Sequence, residues 1–155
     1  MYVEFLKNDV TLLYFEKQQM DLFVGLFVRY VLSNTNQLFY SLTTDSNEIS
    51  LIIDTSLAHH FANIRKTGID GFSVVRIFND KDGIDDIGVV HNISKHFKEN
   101  GLSILYVNSF NNNYVVYDIK DTMRVIELLD VMVKDYDRKE CDSFIFPIDL
   151  RKNDK

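Results

Sequence analysis

The apolar positions change period along the chain, and each change marks an element. Residues 2–6 and 10–16 are rich in strand formers and predict two strands. Lys7-Asn8-Asp9 between them reads as a hairpin turn. Over 21–33 the period becomes helical. Leu22, Phe23, Leu26, Phe27, Tyr30 and Val31 recur at spacings of three and four, giving a helix with a wide apolar face. Residues 37–42 and 48–54 predict a second hairpin around Thr43-Thr44-Asp45-Ser46-Asn47. Thr55-Ser56 reads as the cap of a short helix running to about Ile64, and Lys66-Thr67-Gly68 ends it.

The second half repeats this alternation. Residues 72–78 form a strand signal, followed by the polar loop 79–86. From 87 to 100, Ile87, Val90, Ile93 and Phe97 share one helical face, and Gly101 stands where a helix would stop. Two strands, 102–107 and 114–119, flank the turn 108–113. A helix over 121–136 carries Val125, Ile126, Leu128, Leu129, Val131, Met132 and Val133. Residues 144–148 predict a last strand. The order strand-helix-strand-strand-helix-strand is the ferredoxin-like βαββαβ pattern. The expected fold is α+β: two tandem ferredoxin-like units, residues 1–69 and 70–149, joined near 68–71 and packed side by side, with a frayed tail at 150–155.

Composition narrows the function more than the fold. The 155 residues are 46% hydrophobic and 26% charged, a globular mix, with a formal net charge of −6. No basic run follows a phosphate backbone, so nucleic acid and anionic membrane surfaces are not expected partners. The one cysteine, Cys141, excludes an internal disulfide and fits a reducing compartment. The start of the chain lacks a signal-peptide pattern, and the apolar stretch 22–32 is too short to span a bilayer. A cytoplasmic protein is expected.

The strand Phe72-Ser73-Val74-Val75-Arg76-Ile77-Phe78, the helix start Gly88-Val89-Val90 and the segment from Lys98-Glu99-Asn100-Gly101 through Asn108-Ser109-Phe110-Asn111-Asn112-Asn113-Tyr114-Val115-Val116 resemble the ACT domain. Leu38-Phe39-Tyr40-Ser41-Leu42-Thr43 and Ile49-Ser50-Leu51-Ile52-Ile53-Asp54 resemble the companion region of the cytosolic arginine sensor (CASTOR) family of target-of-rapamycin regulators. The resemblance covers residues 1–129. Those sensors carry four ACT units, so this chain looks like half of one, and a two-fold homodimer would rebuild the set.

What the resemblance implies is a non-catalytic regulatory protein that binds a free amino acid and signals to a protein partner. Family positions for the effector, which lies between units, map onto Ser103 and Ile104 in the strand. They map also onto Ser109, Phe110 and Asn113 at the hairpin, and onto the loop with Asp82, Gly83, Asp85 and Asp86. Asn113 stands where the arginine sensors have Asp, and it cannot make a charged bidentate pair with a guanidinium. Two other readings of the same fold are an interaction module without ligand and a regulatory subunit of a separate amino-acid metabolic enzyme.

Other chemistry finds little support in the residues. His59 and His60 are adjacent, so their rings are expected to diverge on a helix, and His91 and His96 add no ligand spacing. No metal and no cofactor are expected. Cys141 sits among acidic residues that disfavour its thiolate. No nucleophile-base pair is apparent, so no catalytic residue is assigned.

Overall fold

A computed structural model describes residues 1–36, 39–78 and 88–139, the last five of these by backbone alone. Its strands are β1 (Tyr2–Phe5), β2 (Val10–Glu16), β3 (Ser41–Thr44), β4 (Glu48–Asp54), β5 (Thr67–Phe78), β6 (Ile104–Asn108) and β7 (Asn113–Asp118). Its helices are α1 (Met20–Phe27), α2 (Val89–Glu99) and α3 (Thr122–Lys139). The strand predicted at 144–148 and the loop with Asp82, Gly83, Asp85 and Asp86 lie outside the described residues. The chain divides into two compact units. One is Leu6–Ser73. The other joins Met1–Phe5 to the chain from Val74 onward. The first is called the inserted unit below, and the second the composite unit.

The inserted unit has the strand order β3-β4-β2-β5, with β2 antiparallel to both β4 and β5 and β3 antiparallel to β4. Alternation works as it should in a half-buried sheet: Ile49, Leu51 and Ile53 of β4 are buried, while their neighbours are half-exposed. Leu13 and Phe15 lie opposite Leu51 and Ile49 on the same face. Helix α1 adds Phe23 and Phe27, and a π-turn at Val28–Leu32 carries it on to Val31. A 3-10 helix at Thr55–Phe61 adds Ala58 and Phe61. Phe15 meets Phe23 and Phe61 edge-on, at centroid distances of 4.9 and 5.6 Å. Such aromatic pairs add roughly 0.5–1.5 kcal/mol each beyond the area they bury.

The 3-10 helix is capped one residue earlier than the sequence suggests. Asp54, not Thr55 or Ser56, is the cap: its carboxylate accepts from the Ser56 amide at 3.1 Å. An Asp at the end of an extended strand has the φ/ψ an N-cap requires. The composite unit repeats the device. Asp118 ends β7 and accepts from the Lys120 amide at 2.9 Å, opening the short turn Ile119–Asp121 before α3.

The composite unit has the order β1-β5-β7-β6. The hairpin predicted for 2–6 and 10–16 does not form, because β1 pairs with β5. That pairing sets Val3 opposite Ile77 and Phe5 opposite Val75, so both reach the core. Asn8 is drawn off to Asp54, and the Asp9 carbonyl accepts from the Thr55 amide at 2.9 Å. The turn residues therefore have other partners. Gly68 and Gly71, read as the joint between units, lie inside β5. Gly71 has φ 90° where the register against β2 shifts, a bulge that suits a residue without Cβ.

Core residues of the composite unit come from all its elements: Val75, Ile77, Val115 and Tyr117 from the sheet, Ile93 and Phe97 from α2, and Val125, Leu128, Leu129 and Met132 from α3. Helix α2 stops at Gly101, as predicted, with φ 63°. The Leu102 amide donates to the Phe97 carbonyl at 2.9 Å and the Gly101 amide to the Lys98 carbonyl at 3.0 Å. This Schellman closure turns the chain into β6 and buries Leu102. The α3 stripe is likewise largely inside, except that Val131 is exposed. No described helix is long and apolar enough to cross a membrane.

Candidate functional site

Five of the predicted binding residues fall among the described residues, at two places in the composite unit. Ser109, Phe110 and Asn113 belong to the β6–β7 hairpin. The Ser109 amide donates to the Asn112 carbonyl at 2.9 Å, and Asn108 pairs with Asn113 to close the turn. Phe110 projects from it, 78% exposed. Ser103 and Ile104 stand at the other end of β6. Ser103 is exposed, and Ile104 lies opposite Tyr117 and packs on the core. Six residues of extended chain separate Ser103 from Ser109, roughly 20 Å. One small molecule does not touch both ends.

The hairpin end is also the end where α2 begins. Helix α2 ends at Glu99 with Asn100 as its C-cap, the chain reverses through Gly101, and β6 runs back toward the helix start. Gly88 is the N-cap, with φ 90° and no capping side chain, and the first turn holds no acidic residue. Among the described residues, no side chain caps the positive end of the helix. Amides in that position attract a carboxylate or phosphate.

Tyr106 carries no signal in the sequence that would single it out. It lies on the core face of β6, on the way from Ile104 to the hairpin, and both it and Val89 of α2 pack on the core. Its hydroxyl is buried and has no hydrogen-bond partner among the described residues. Burial pushes its pKa up to about 12, so it is a neutral donor at physiological pH. A buried hydroxyl without a partner costs about 1–3 kcal/mol, a cost that a ligand acceptor would remove. Strand alternation in the sequence places Tyr106 inward, but only packing reveals that its oxygen is orphaned.

Arg76 is the other side chain with an orphaned atom. It forms an ion pair with Glu4 across the β1–β5 ladder and lies 5.1 Å from the Phe78 ring centroid, yet its Nε is buried without a partner among the described residues. It belongs to the opposite sheet face from Val75 and Ile77, since it stands opposite Glu4.

In the inserted unit the buried Thr11 hydroxyl is paired. Thr11 is fully buried, and its hydroxyl donates to Asp70 at 2.7 Å and lies 3.0 Å from the Thr55 hydroxyl. The predicted divergence of His59 and His60 is corrected here. Their ring centroids are 3.8 Å apart. His59 is held through Nδ1, 2.8 Å from the Ser56 carbonyl, and His60 stacks flat on Tyr30 at 3.7 Å. That stack turns His60 beside its neighbour. Arg29 lies over the other ring in the group, 5.3 Å from the Tyr30 centroid. Desolvation first, then the nearby His59 and Arg29, hold the His60 pKa below its usual 6.5. Among the described residues no three His, Cys, Asp or Glu side chains are grouped to hold a metal.

No family model matches the chain, and no curated protein matches it. Solved structures do. Aspartokinase alpha and beta subunits align over 83% of this chain and 95% of theirs at 13% identity, with a TM-score of 0.64. The regulatory subunit of aspartate kinase from Thermus thermophilus aligns over 83% and 94% at 9% identity, TM-score 0.63. A C-terminal regulatory domain of aspartate kinase from Porphyromonas gingivalis aligns over 83% and 93% at 16% identity, TM-score 0.55. The fold of this chain is therefore the mixed α/β fold, built on an antiparallel sheet, that these aspartate kinase structures share.

Proposed function

We propose that the chain is a non-catalytic regulatory protein that binds a free amino acid and acts as a homodimer. Each compact unit is read as one ferredoxin-like ACT unit, so the chain corresponds to half of a four-unit sensor of the arginine-sensor kind. The observation that carries this reading is the strand order. In the inserted unit the first strand, β2, lies between the third, β4, and the fourth, β5. In the composite unit β5 is the first strand, flanked by the third, β7, and by β1. The N-terminal strand takes the fourth place. The Asp caps at 54 and 118 fall at equivalent points, which supports one ancestral unit used twice.

The effector site is placed at the hairpin end of the composite unit. The start of α2 receives the carboxylate, Ser109 and Asn113 contact the polar head, and Tyr106 supplies a buried donor. The amide of Asn113 favours a neutral polar group over a guanidinium. A thermal-shift screen against the twenty amino acids tests this. A true effector raises the melting temperature with dose, because it binds the native state alone. The double variant Ser109→Ala/Asn113→Ala abolishes that shift while circular dichroism stays unchanged. Binding that survives in the double variant overturns this site.

A second reading is a regulatory subunit for a separate enzyme. It is favoured by the alignment over 94% of a regulatory subunit that is itself a separate chain. Co-purification with a kinase or biosynthetic enzyme, and a change in that enzyme's activity on adding this protein, separates it from the first.

A further inference from the structure

Helix α1 and the π-turn that continues it bury Phe23, Phe27 and Val31 but leave a second apolar face outside. Leu22, Val28 and Leu32 are 60%, 48% and 53% exposed, and Gly25 stands among them with open space where a Cβ would be. A continuous apolar strip of this kind on a helix marks an association surface. Its charges identify the occupant. Asp21 lies four residues before Gly25 and Arg29 four residues after it. Both are exposed, and neither has an ion-pair partner among the described residues.

We infer that this face docks on the same face of a second copy, with the two α1 helices antiparallel and crossing at Gly25. A two-fold axis through Gly25 sets Asp21 against Arg29 of the second copy and Arg29 against its Asp21. Leu22 then meets Val28 of the second copy, and Val28 its Leu22. Charge and apolar positions are both self-complementary in this register. In a parallel register the like charges would coincide. Two glycines at the crossing let the backbones approach at the close end of the usual 8–10 Å, ~8 Å between axes. The inference rests on the homodimer reading above and names its surface.

Sedimentation velocity of the full chain over a concentration series tests it, with circular dichroism to check folding. The wild type is expected to dimerise. Gly25→Leu fits the isolated protomer, since nothing lies within 4 Å of the added Cβ. It blocks the crossing and raises the dimer Kd by at least about tenfold. Asp21→Arg sets like charges face to face and also weakens the dimer, whereas Asp21→Arg/Arg29→Asp restores it to within about threefold. A wild type that stays monomeric throughout overturns both this surface and the homodimer reading. A dimer that ignores Gly25→Leu and Asp21→Arg overturns this surface alone and leaves the homodimer reading standing. Failure of the charge swap to restore the dimer overturns the antiparallel register.

Discussion

The two units solve the same folding problem with different materials. The inserted unit fills its core with rings: Phe15, Phe23, Phe27 and Phe61 meet one another. Its buried Thr11 hydroxyl has partners in Asp70 and Thr55. The composite unit fills its core mainly with aliphatic side chains and leaves Tyr106 and Arg76 with polar atoms that have no partner among the described residues. A well-satisfied interior favours one state. An interior with an unpaired donor has something left to gain from a ligand. The difference fits the proposal that the composite unit carries the effector site and the inserted unit serves as its scaffold.

The most severe way to break this comparison is to hollow each core. Phe61→Ala and Phe97→Ala both remove a fully buried ring. Each is expected to cost about 3–5 kcal/mol in urea unfolding. If the roles differ as proposed, excess effector recovers part of the loss in Phe97→Ala, whose unit binds it. Equal recovery in both variants would remove the division of labour.

Tyr106→Phe sharpens the contrast at one atom. It deletes the orphaned oxygen, so stability is expected to hold or rise by about 1 kcal/mol. Effector affinity falls about tenfold, read by calorimetry. A loss of stability with unchanged affinity would make the hydroxyl structural.

The smallest expected effect concerns pH. His60 resists protonation when folded, because of desolvation and then the charges of His59 and Arg29. The unfolded chain takes up that proton more readily. The His60 contribution to stability is therefore complete above about pH 6.5 and declines as pH falls through the lowered folded pKa. His60→Asn should flatten the melting temperature of the protein between pH 7 and pH 5 relative to wild type. An unchanged slope would show that the stack on Tyr30 does not govern that range.

How much was legible in the sequence depended on the range of the forces involved. The helices α2 and α3 were readable because their periodicity and the Gly101 stop are local. β1 was misread because Lys7-Asn8-Asp9 looks like a turn, while the pairing of Phe5 with Val75 is decided far along the chain. β5 was read from residue 72 only, because Gly68 and Gly71 mimic a joint, yet both lie inside the strand, with a bulge at Gly71. The hairpin residues Ser109, Phe110 and Asn113 are gathered together, while Ser103 and Ile104 lie at the far end of the strand. The orphaned hydroxyl of Tyr106 and the approach of His59 to His60 come from packing, which no spacing rule encodes.

The pairing of β1 with β5 also bears on the order of events during folding. Strand β1 must wait for partner residues seventy or more positions later in the chain, and closing such a loop unaided carries an entropic penalty. The intervening segment Leu6–Ser73 is contiguous and has its own core. Once it forms, Val10 lies opposite Phe72, and the long loop shrinks to a few residues. The inserted unit thus acts as a clip that delivers the waiting strand. Folding is expected to be sequential, with the contiguous unit as its kinetic gatekeeper.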